Sequence, residues 1–121
     1  MPKKTLLIID MLKDFVEDGA PLEVKPARKI VKNIKLQIDE ARKQGIPIIY
    51  VCDNHQKDDP EFRLWPRHAV QGTKGAEVVD DIMPKKGDTI VYKKTYSGFF
   101  ETELDDVLKK IGIDEVIITG V

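Results

Sequence analysis

Apolar positions in this chain follow two patterns: short unbroken runs, and one long stripe at three- and four-residue steps. The stretches "TLLII", "IPIIYV", "DTIVYK" and "DEVIITGV" are rich in β-branched residues and bounded by Gly, Pro or Asp. Such runs predict strands buried on both faces. Ala27, Ile30, Val31, Ile34, Ile38 and Ala41 share one face of a helix that Pro26 opens and Gly45 closes. A second helix is predicted through Leu104, Val107, Leu108 and Ile111. Thr102 and Asp105 resemble a capping pair at its start, and Gly112 ends it. Met11 to Lys25, with Gly19 and Pro21, reads as loop.

Continuous apolar strands separated by helices predict an α/β fold: a doubly wound, mainly parallel sheet with helices on both faces. In such sheets ligands sit beyond the carboxyl ends of the strands, where strand order reverses. Asp10, Asp53 and Lys93 all fall at those ends. No internal repeat, low-complexity segment or linker interrupts the chain, so residues 1–121 are expected to form a single domain. Val121 follows a fresh strand directly, with no helix to cover it. The expectation is therefore a domain whose C-terminal part is missing.

Bulk properties narrow the function classes. The 121 residues are 41% hydrophobic and 34% charged, as in an ordinary soluble globular domain. A net charge of −1 argues against nucleic acid as partner, because acids match the basic residues. No apolar run approaches the roughly 20 residues of a membrane span, so no membrane partner is expected. Lysines precede "TLLII" as they would in a signal peptide, but that run is too short for one. The single cysteine, Cys52, leaves no intramolecular disulfide and fits a reducing cytoplasm.

The stretch "CDNHQKDDPEFRLWPRHAV" (52–70) has no helical or strand period, yet it holds both histidines of the chain. Asp53 and His55 lie two positions apart just past a strand, and His68 follows a stiff Trp65-Pro66. One Asp and two His suit a divalent ion that keeps open positions; surface polar residues in a mobile loop are the plain alternative. Asp10 is either a structural cap or a functional acid. The Lys93-Lys94 pair is either solvated or partly functional, and an Asp with a Lys at strand ends can activate a nucleophile. Cys52 abuts Asp53, has no neighbouring cation in sequence, and reads as a core residue. Phe15, Trp65 and Tyr96 are either core aromatics or the apolar walls of a small-molecule pocket. No phosphate-binding glycine motif is present, and Asp10 is followed by Met11-Leu12, which does not fit a phosphoaspartate hydrolase.

Four stretches taken together resemble the isochorismatase-like cysteine hydrolases, and among them the nicotinamidase/pyrazinamidase branch. They are "LLIIDMLKDF", "CDNHQKDDPEFRLWPRHAVQGTKGAEV", "VYKKTYSGFFETELDDVL" and "IGIDEVIITGV", in the family's order and over essentially the whole chain. The W-P-x-H segment joined to an upstream D-x-H is the specific part. The resemblance implies that Asp10 is the catalytic acid and base, and that Lys93 rather than Lys94 is the family lysine. It implies Asp53, His55 and His68 as metal ligands, with Glu61, seven residues before His68, as a further one. Phe15, Trp65 and Tyr96 match positions that surround the substrate ring. The implied cofactor is a divalent metal ion, zinc first, with iron and manganese as alternatives.

The family nucleophile is a cysteine in an x-T-x-x-C turn after a strand ending in Gly-Val. Here that strand ends at Val121, which puts the expected cysteine a few residues further on; Cys52 belongs to a different strand. The implied reaction is metal-assisted hydrolysis of nicotinamide or pyrazinamide to the acid and ammonia, a step of NAD salvage, through a cysteine thioester. Three rivals stand beside it. One is another hydrolase of the superfamily, acting on a small amide, carbamoyl or enol-ether substrate. The second is a phospho-accepting receiver, which would need a second acid beside Asp10. The third is an inactive fragment or binding module without the nucleophile. Family members are often dimers or tetramers, which leaves a homo-oligomer open.

Overall fold

In the computed structural model, which describes residues 2–121, four strands and three helices follow one another along the chain. They are β1 (Lys4–Ile9), α1 (Lys13–Val16), α2 (Ala27–Lys43), β2 (Ile48–Asp53), β3 (Thr89–Lys93), α3 (Leu104–Ile111) and β4 (Glu115–Gly120). All strand pairs are parallel and the sheet order is β3-β2-β1-β4. The chain steps outward from β1 to β3 and then crosses back to lay β4 on the other side of β1. The reversal of strand order therefore lies between β1 and β4, beside Asp10.

Side-chain alternation divides the sheet into two apolar layers. Leu6, Ile8, Ile48, Tyr50 and Cys52 face α2, whose Ala27, Ile34, Ile38 and Ala41 complete that core. Leu7, Ile49, Val51 and Val91 face α3 through Leu104, Val107, Leu108 and Ile111. The central strands β1 and β2 are buried along nearly their whole length, which is why their sequences read as unbroken apolar runs. Helices on both faces confirm the doubly wound α/β reading. β4 is more open: Val116, Ile117 and Ile118 keep 40%, 37% and 64% of their surface. Among the described residues, no helix is long and apolar enough to cross a membrane.

Local signals account for most boundaries. α2 begins directly after Pro26, and Gly45 at φ 70° takes the left-handed position that ends it. Gly112, at φ 72°, does the same for α3. Three features differ from the sequence expectation. The 11–25 segment contains a single helical turn, α1, which Leu12 anchors through its carbonyl to Phe15 and Val16 N–H. Short 3₁₀ turns occur at Pro60–Arg63, Lys74–Ala76 and Asp80–Ile82. The Thr102–Asp105 capping pair is replaced by a split arrangement. Thr102 Oγ1 accepts from Leu104 N–H at 3.2 Å, whereas Asp105 pairs with Lys109 one turn on.

β4 seals against β1 at a point that only glycine allows. A Cβ on Gly120 would lie 2.0 Å from the Ile9 carbonyl oxygen, and its φ of 116° is itself unsuited to other residues. That contact brings Val121 N–H to the Ile9 carbonyl at 3.1 Å, next to Asp10. The fold thus sets the ends of β1, β2, β3 and β4 around one opening.

Ile49 is fully buried at the centre of the sheet. Ile49→Ala should lower unfolding stability by about 2–5 kcal/mol in urea denaturation. Leu36→Ala, on the exposed face of α2 at 59% exposure, should stay within about 0.5 kcal/mol of wild type. Equal losses at the two positions would contradict this layering.

Candidate active site and metal centre

Asp10 ends β1 in the left-handed region, at φ 53°, an uncommon conformation for a residue with a side chain. Two hydrogen bonds hold it there. Its N–H donates to the Val51 carbonyl at 2.9 Å, and its Oδ1 accepts from the Asp53 N–H at 2.9 Å. Oδ2 is 2.9 Å from Lys93 Nζ. Lys93 lies opposite Asp53 in the β2–β3 register, and its Nζ donates to Asp53 Oδ1 at 2.5 Å and to the Thr95 carbonyl at 3.0 Å. All three ammonium protons are therefore used. Strand alternation sends Lys93 inward, at 3% exposure, and leaves Lys94 in solvent.

The charges tune one another. Burial and the nearby Asp53 carboxylate push the Asp10 carboxyl above its ordinary range, against the pull of Lys93. Burial alone would depress Lys93, but the Asp10 and Asp53 carboxylates outweigh it and its pKa rises. Lys93 is thus a fixed cation, and Asp10 is a carboxylate with more basicity than usual.

Asp53 also faces the histidines. Its Oδ2 lies 3.5 Å from His55 Nε2. Both rings are buried, 4.8 Å apart between centroids, and Phe62 packs edge-on against each. His55 Nδ1 is 3.0 Å from Asp59 Oδ2, and His68 Nδ1 is 2.6 Å from the Pro66 carbonyl. Those oxygens can only accept, so each Nδ1 carries a hydrogen, and in the neutral tautomer that metal ligation requires each ring turns a lone pair at Nε2 inward. Glu61 Oε2 meets them there, 3.0 Å from His55 Nε2 and 3.2 Å from His68 Nε2.

In that tautomer acceptors face acceptors. His55 Nε2 and Glu61 Oε2 are buried with no hydrogen-bond partner. Ligand atoms of Asp53, His55 and His68 also lie within 4.8 Å of one another. A set of two imidazole nitrogens and carboxylate oxygens, with each histidine oriented by an outer acceptor, fits a divalent ion of borderline hardness.

A cleft of about 600 Å³ opens onto these groups. Asp10, Asp53, Glu61, His68 and Lys93 line it, as do Phe15, Trp65 and Tyr96, while His55 is fully enclosed behind them. The sequence-predicted residues therefore meet at one place. The aromatics differ in depth: Phe15 is buried and 5.6 Å from the His68 ring, whereas Trp65 and Tyr96 sit at the open mouth, Tyr96 at 81% exposure. Sequence reasoning missed Asp59. It caps the 3₁₀ turn that follows it by accepting from Glu61 N–H at 2.8 Å. Burial works against its charged form, but that N–H and the His55 ring outweigh burial and hold its carboxyl below the ordinary range. The Asp-Pro step at 59–60 was the available signal. Pro21, Leu22, Glu23 and Val24 also line the cleft and carried no signal in their residue types.

Comparison with known proteins gives a consistent result. The family model described as Isochorismatase domain matches residues 4–121. A protein of Arabidopsis thaliana named a probable inactive nicotinamidase is 36% identical over 96% of this chain and 64% of its own length. The ureidoacrylate amidohydrolase of Agrobacterium fabrum is 28% identical over 99% of this chain and 64% of its own length. Among solved structures, N-carbamoylsarcosine amidase from Thermoplasma acidophilum superposes with a TM-score of 0.89 at 41% identity, covering 98% of this chain and 67% of that one. The pyrazinamidase of Pyrococcus horikoshii in complex with zinc gives 0.91 at 33% identity, over 99% and 71%. The chain thus spans 64% of the length of each of these two curated relatives.

Cys52 lies on the α2 side of the sheet at 2% exposure, and burial, with Asp10 adding to it, pushes its thiol up to about 12. It is a core residue and no nucleophile. In the folded protein at pH 8, Cys52 should resist a thiol-specific reagent for hours, and in denaturant it should react fully, as read by peptide mass. Rapid native-state labelling at this position would contradict its burial.

Proposed function

The chain belongs to the isochorismatase domain family, and from that premise we propose that it carries the acid, lysine and metal-binding groups of a cysteine amidohydrolase acting on nicotinamide or pyrazinamide. The observation that supports this most directly is the double role of Asp53. One of its oxygens holds Lys93, which in turn holds Asp10; the other faces the His55–His68–Glu61 cluster. Acid–base chemistry and substrate anchoring thus share one rigid carboxylate.

In this reading the attacking group is a cysteine thiol other than the buried Cys52, and it approaches Asp10 in the cleft. Asp10 takes the Sγ proton as sulfur bonds to the amide carbon, then gives that proton to the nitrogen as the C–N bond breaks and ammonia leaves. Water then adds to the thioester carbon as Asp10 takes its proton; the C–S bond breaks, Asp10 returns the proton to sulfur, and the carboxylic acid is released. Lys93 keeps Asp10 oriented and balances the charge of the thiolate while it exists. Phe15 and Trp65 wall the aromatic ring of the substrate. Asp53, His55, His68 and Glu61 would hold a zinc ion, or iron or manganese. The bound ion would supply an electrophilic anchor for the pyridine nitrogen and so place the carboxamide.

A second reading within the family is hydrolysis of a carbamoyl or ureido group. The similarity to an N-carbamoylsarcosine amidase and to a ureidoacrylate amidohydrolase supports it. The two readings separate when ammonia release is measured side by side on nicotinamide and N-carbamoylsarcosine. Preference for the second compound would displace the first reading. Metal binding with no turnover of either would favour a binding role.

For the protein expressed from its complete gene, Asp10→Asn should reduce ammonia release from nicotinamide by at least about a hundredfold while leaving metal content unchanged. Near-wild-type turnover would refute Asp10 as the base. His55→Ala should instead lose the metal, as read by elemental analysis after dialysis; full metal retention would remove His55 from the ligand set.

A further inference from the structure

Asp14 lies outside the cleft and takes no part in the chemistry above, yet it sits at the backbone joint between the two histidines. Its Oδ2 accepts from the Ala69 N–H at 2.9 Å. Ala69 follows His68 directly, is fully buried, and has φ 47°, in the left-handed region that alanine rarely occupies. Its carbonyl accepts from the His55 N–H at 2.8 Å, and the His55 carbonyl accepts from Gln71 N–H at 2.8 Å. The N–H and C=O of Ala69 therefore link Asp14 to the His55 backbone through hydrogen bonds, directly after His68 in the chain. Next to Asp14 in sequence, Phe15 packs its ring 5.6 Å from that of His68.

A second feature shows that the carboxylate is built into its place. Gly75 lies flat against it, and a Cβ there would meet Asp14 Oδ2 at 2.1 Å and Cγ at 2.3 Å. Gly75 belongs to the Lys74–Ala76 turn, whose neighbour Glu77 accepts the Lys13 N–H at 2.9 Å through its carbonyl. The α1 turn and the 74–77 segment thus clamp the side chain from two sides.

We propose that Asp14 is a positioning residue for the metal centre: it stabilises the left-handed turn at Ala69 and thereby aims the Nε2 atoms of His68 and His55 at a common ion. The inference rests on the reading of Asp53, His55, His68 and Glu61 as a metal site. Without the Asp14 acceptor, the buried Ala69 N–H is unpaired and its left-handed conformation loses its support, so the His68 backbone is free to relax. Outer groups that orient ligating histidines commonly carry ten- to a hundredfold in metal affinity.

The test is zinc affinity of the full chain, measured by competition with a chromophoric chelator at a temperature where circular dichroism shows every variant folded. Asp14→Ala should bind zinc about 10–100-fold more weakly than wild type. Asp14→Asn keeps an acceptor oxygen and should restore most of the affinity. Gly75→Ala, which displaces the carboxylate without removing it, should weaken binding in the same direction, and it carries the test if Asp14→Ala does not fold. A merely structural role would move thermal stability in all variants but leave folded-state affinity unchanged. If folded Asp14→Ala or Gly75→Ala binds zinc as tightly as wild type while His55→Ala does not, the positioning role is overturned and the metal reading stands. If wild type binds neither zinc, iron nor manganese, the metal reading falls, and this inference falls with it.

Discussion

An ammonium group buried at the ends of three parallel strands is the constraint around which this site is arranged. Taking a lysine out of water costs several kcal/mol even after relaxation, so Lys93 is tenable only with its charge and its three protons answered. Asp10 from β1, Asp53 from β2 and the Thr95 carbonyl beyond β3 answer them. The sheet register makes this arrangement possible, because Asp53 and Lys93 are direct partners across β2 and β3. A slip of one residue would turn Lys93 to the opposite face and bring Lys94 inward. The apolar alternation that fixes the register, with Val91 buried and Tyr92 outside, therefore also fixes the chemistry.

The same triad leaves a charge imbalance that the histidine cluster shares. Around Lys93 and the two inward ring nitrogens, three carboxylates (Asp10, Asp53 and Glu61) face one ammonium. Asp10 feels part of that excess: burial first, and then the Asp53 carboxylate, hold its carboxyl above its ordinary range. Glu61 and the second Asp53 oxygen face the Nε2 atoms of His55 and His68, which in the neutral tautomer are lone pairs without a proton. A divalent cation in the proposed site would offset the excess charge and give those lone pairs a partner.

Much of the fold was legible because burial imposes strong local patterns. β1 and β2 lie between two helical layers, so both faces of each are apolar and the sequence carries no polar alternation. Pro26, Gly45 and Gly112 mark helix ends through backbone geometry that few other residues satisfy. The single turn of α1 and the three 3₁₀ turns were not legible, since one helical turn cannot nucleate by its own propensity and forms only where tertiary contacts hold it. The Thr102–Asp105 pair had the spacing of a reciprocal cap, but Lys109 offers Asp105 a better charge partner one turn further on. In the site, the inward-facing groups were readable from their residue types and order. Asp59 and Asp14 were harder to read: Asp59 holds the His55 ring from behind and is signalled only by its Asp-Pro step, while Asp14 holds the Ala69 N–H and looks in sequence like any solvated acid.

Of the three non-glycine residues in the left-handed region, Asp10, Ala69 and Glu101, the first two stand beside the two halves of the candidate site. Such conformations cost of order 1–3 kcal/mol each and survive only where surrounding contacts over-determine them. Around Asp10 those contacts are the Val51 carbonyl and the Asp53 N–H, both from β2. Around Ala69 they are Asp14 and the His55 N–H. The long irregular stretch between Asp53 and Val70 follows from the same requirement. Three side chains from one segment, His55, Glu61 and His68, converge with Asp53, and neither a helix nor a strand turns three side chains that far apart in sequence inward to one place. The backbone gives up regular hydrogen bonding there, and Ala69 of the loop is buried in the same core cluster as Leu12, Val78 and Val79. Core packing and site geometry are thus one problem in this chain: the apolar residues under the loop set the precision with which its polar residues converge.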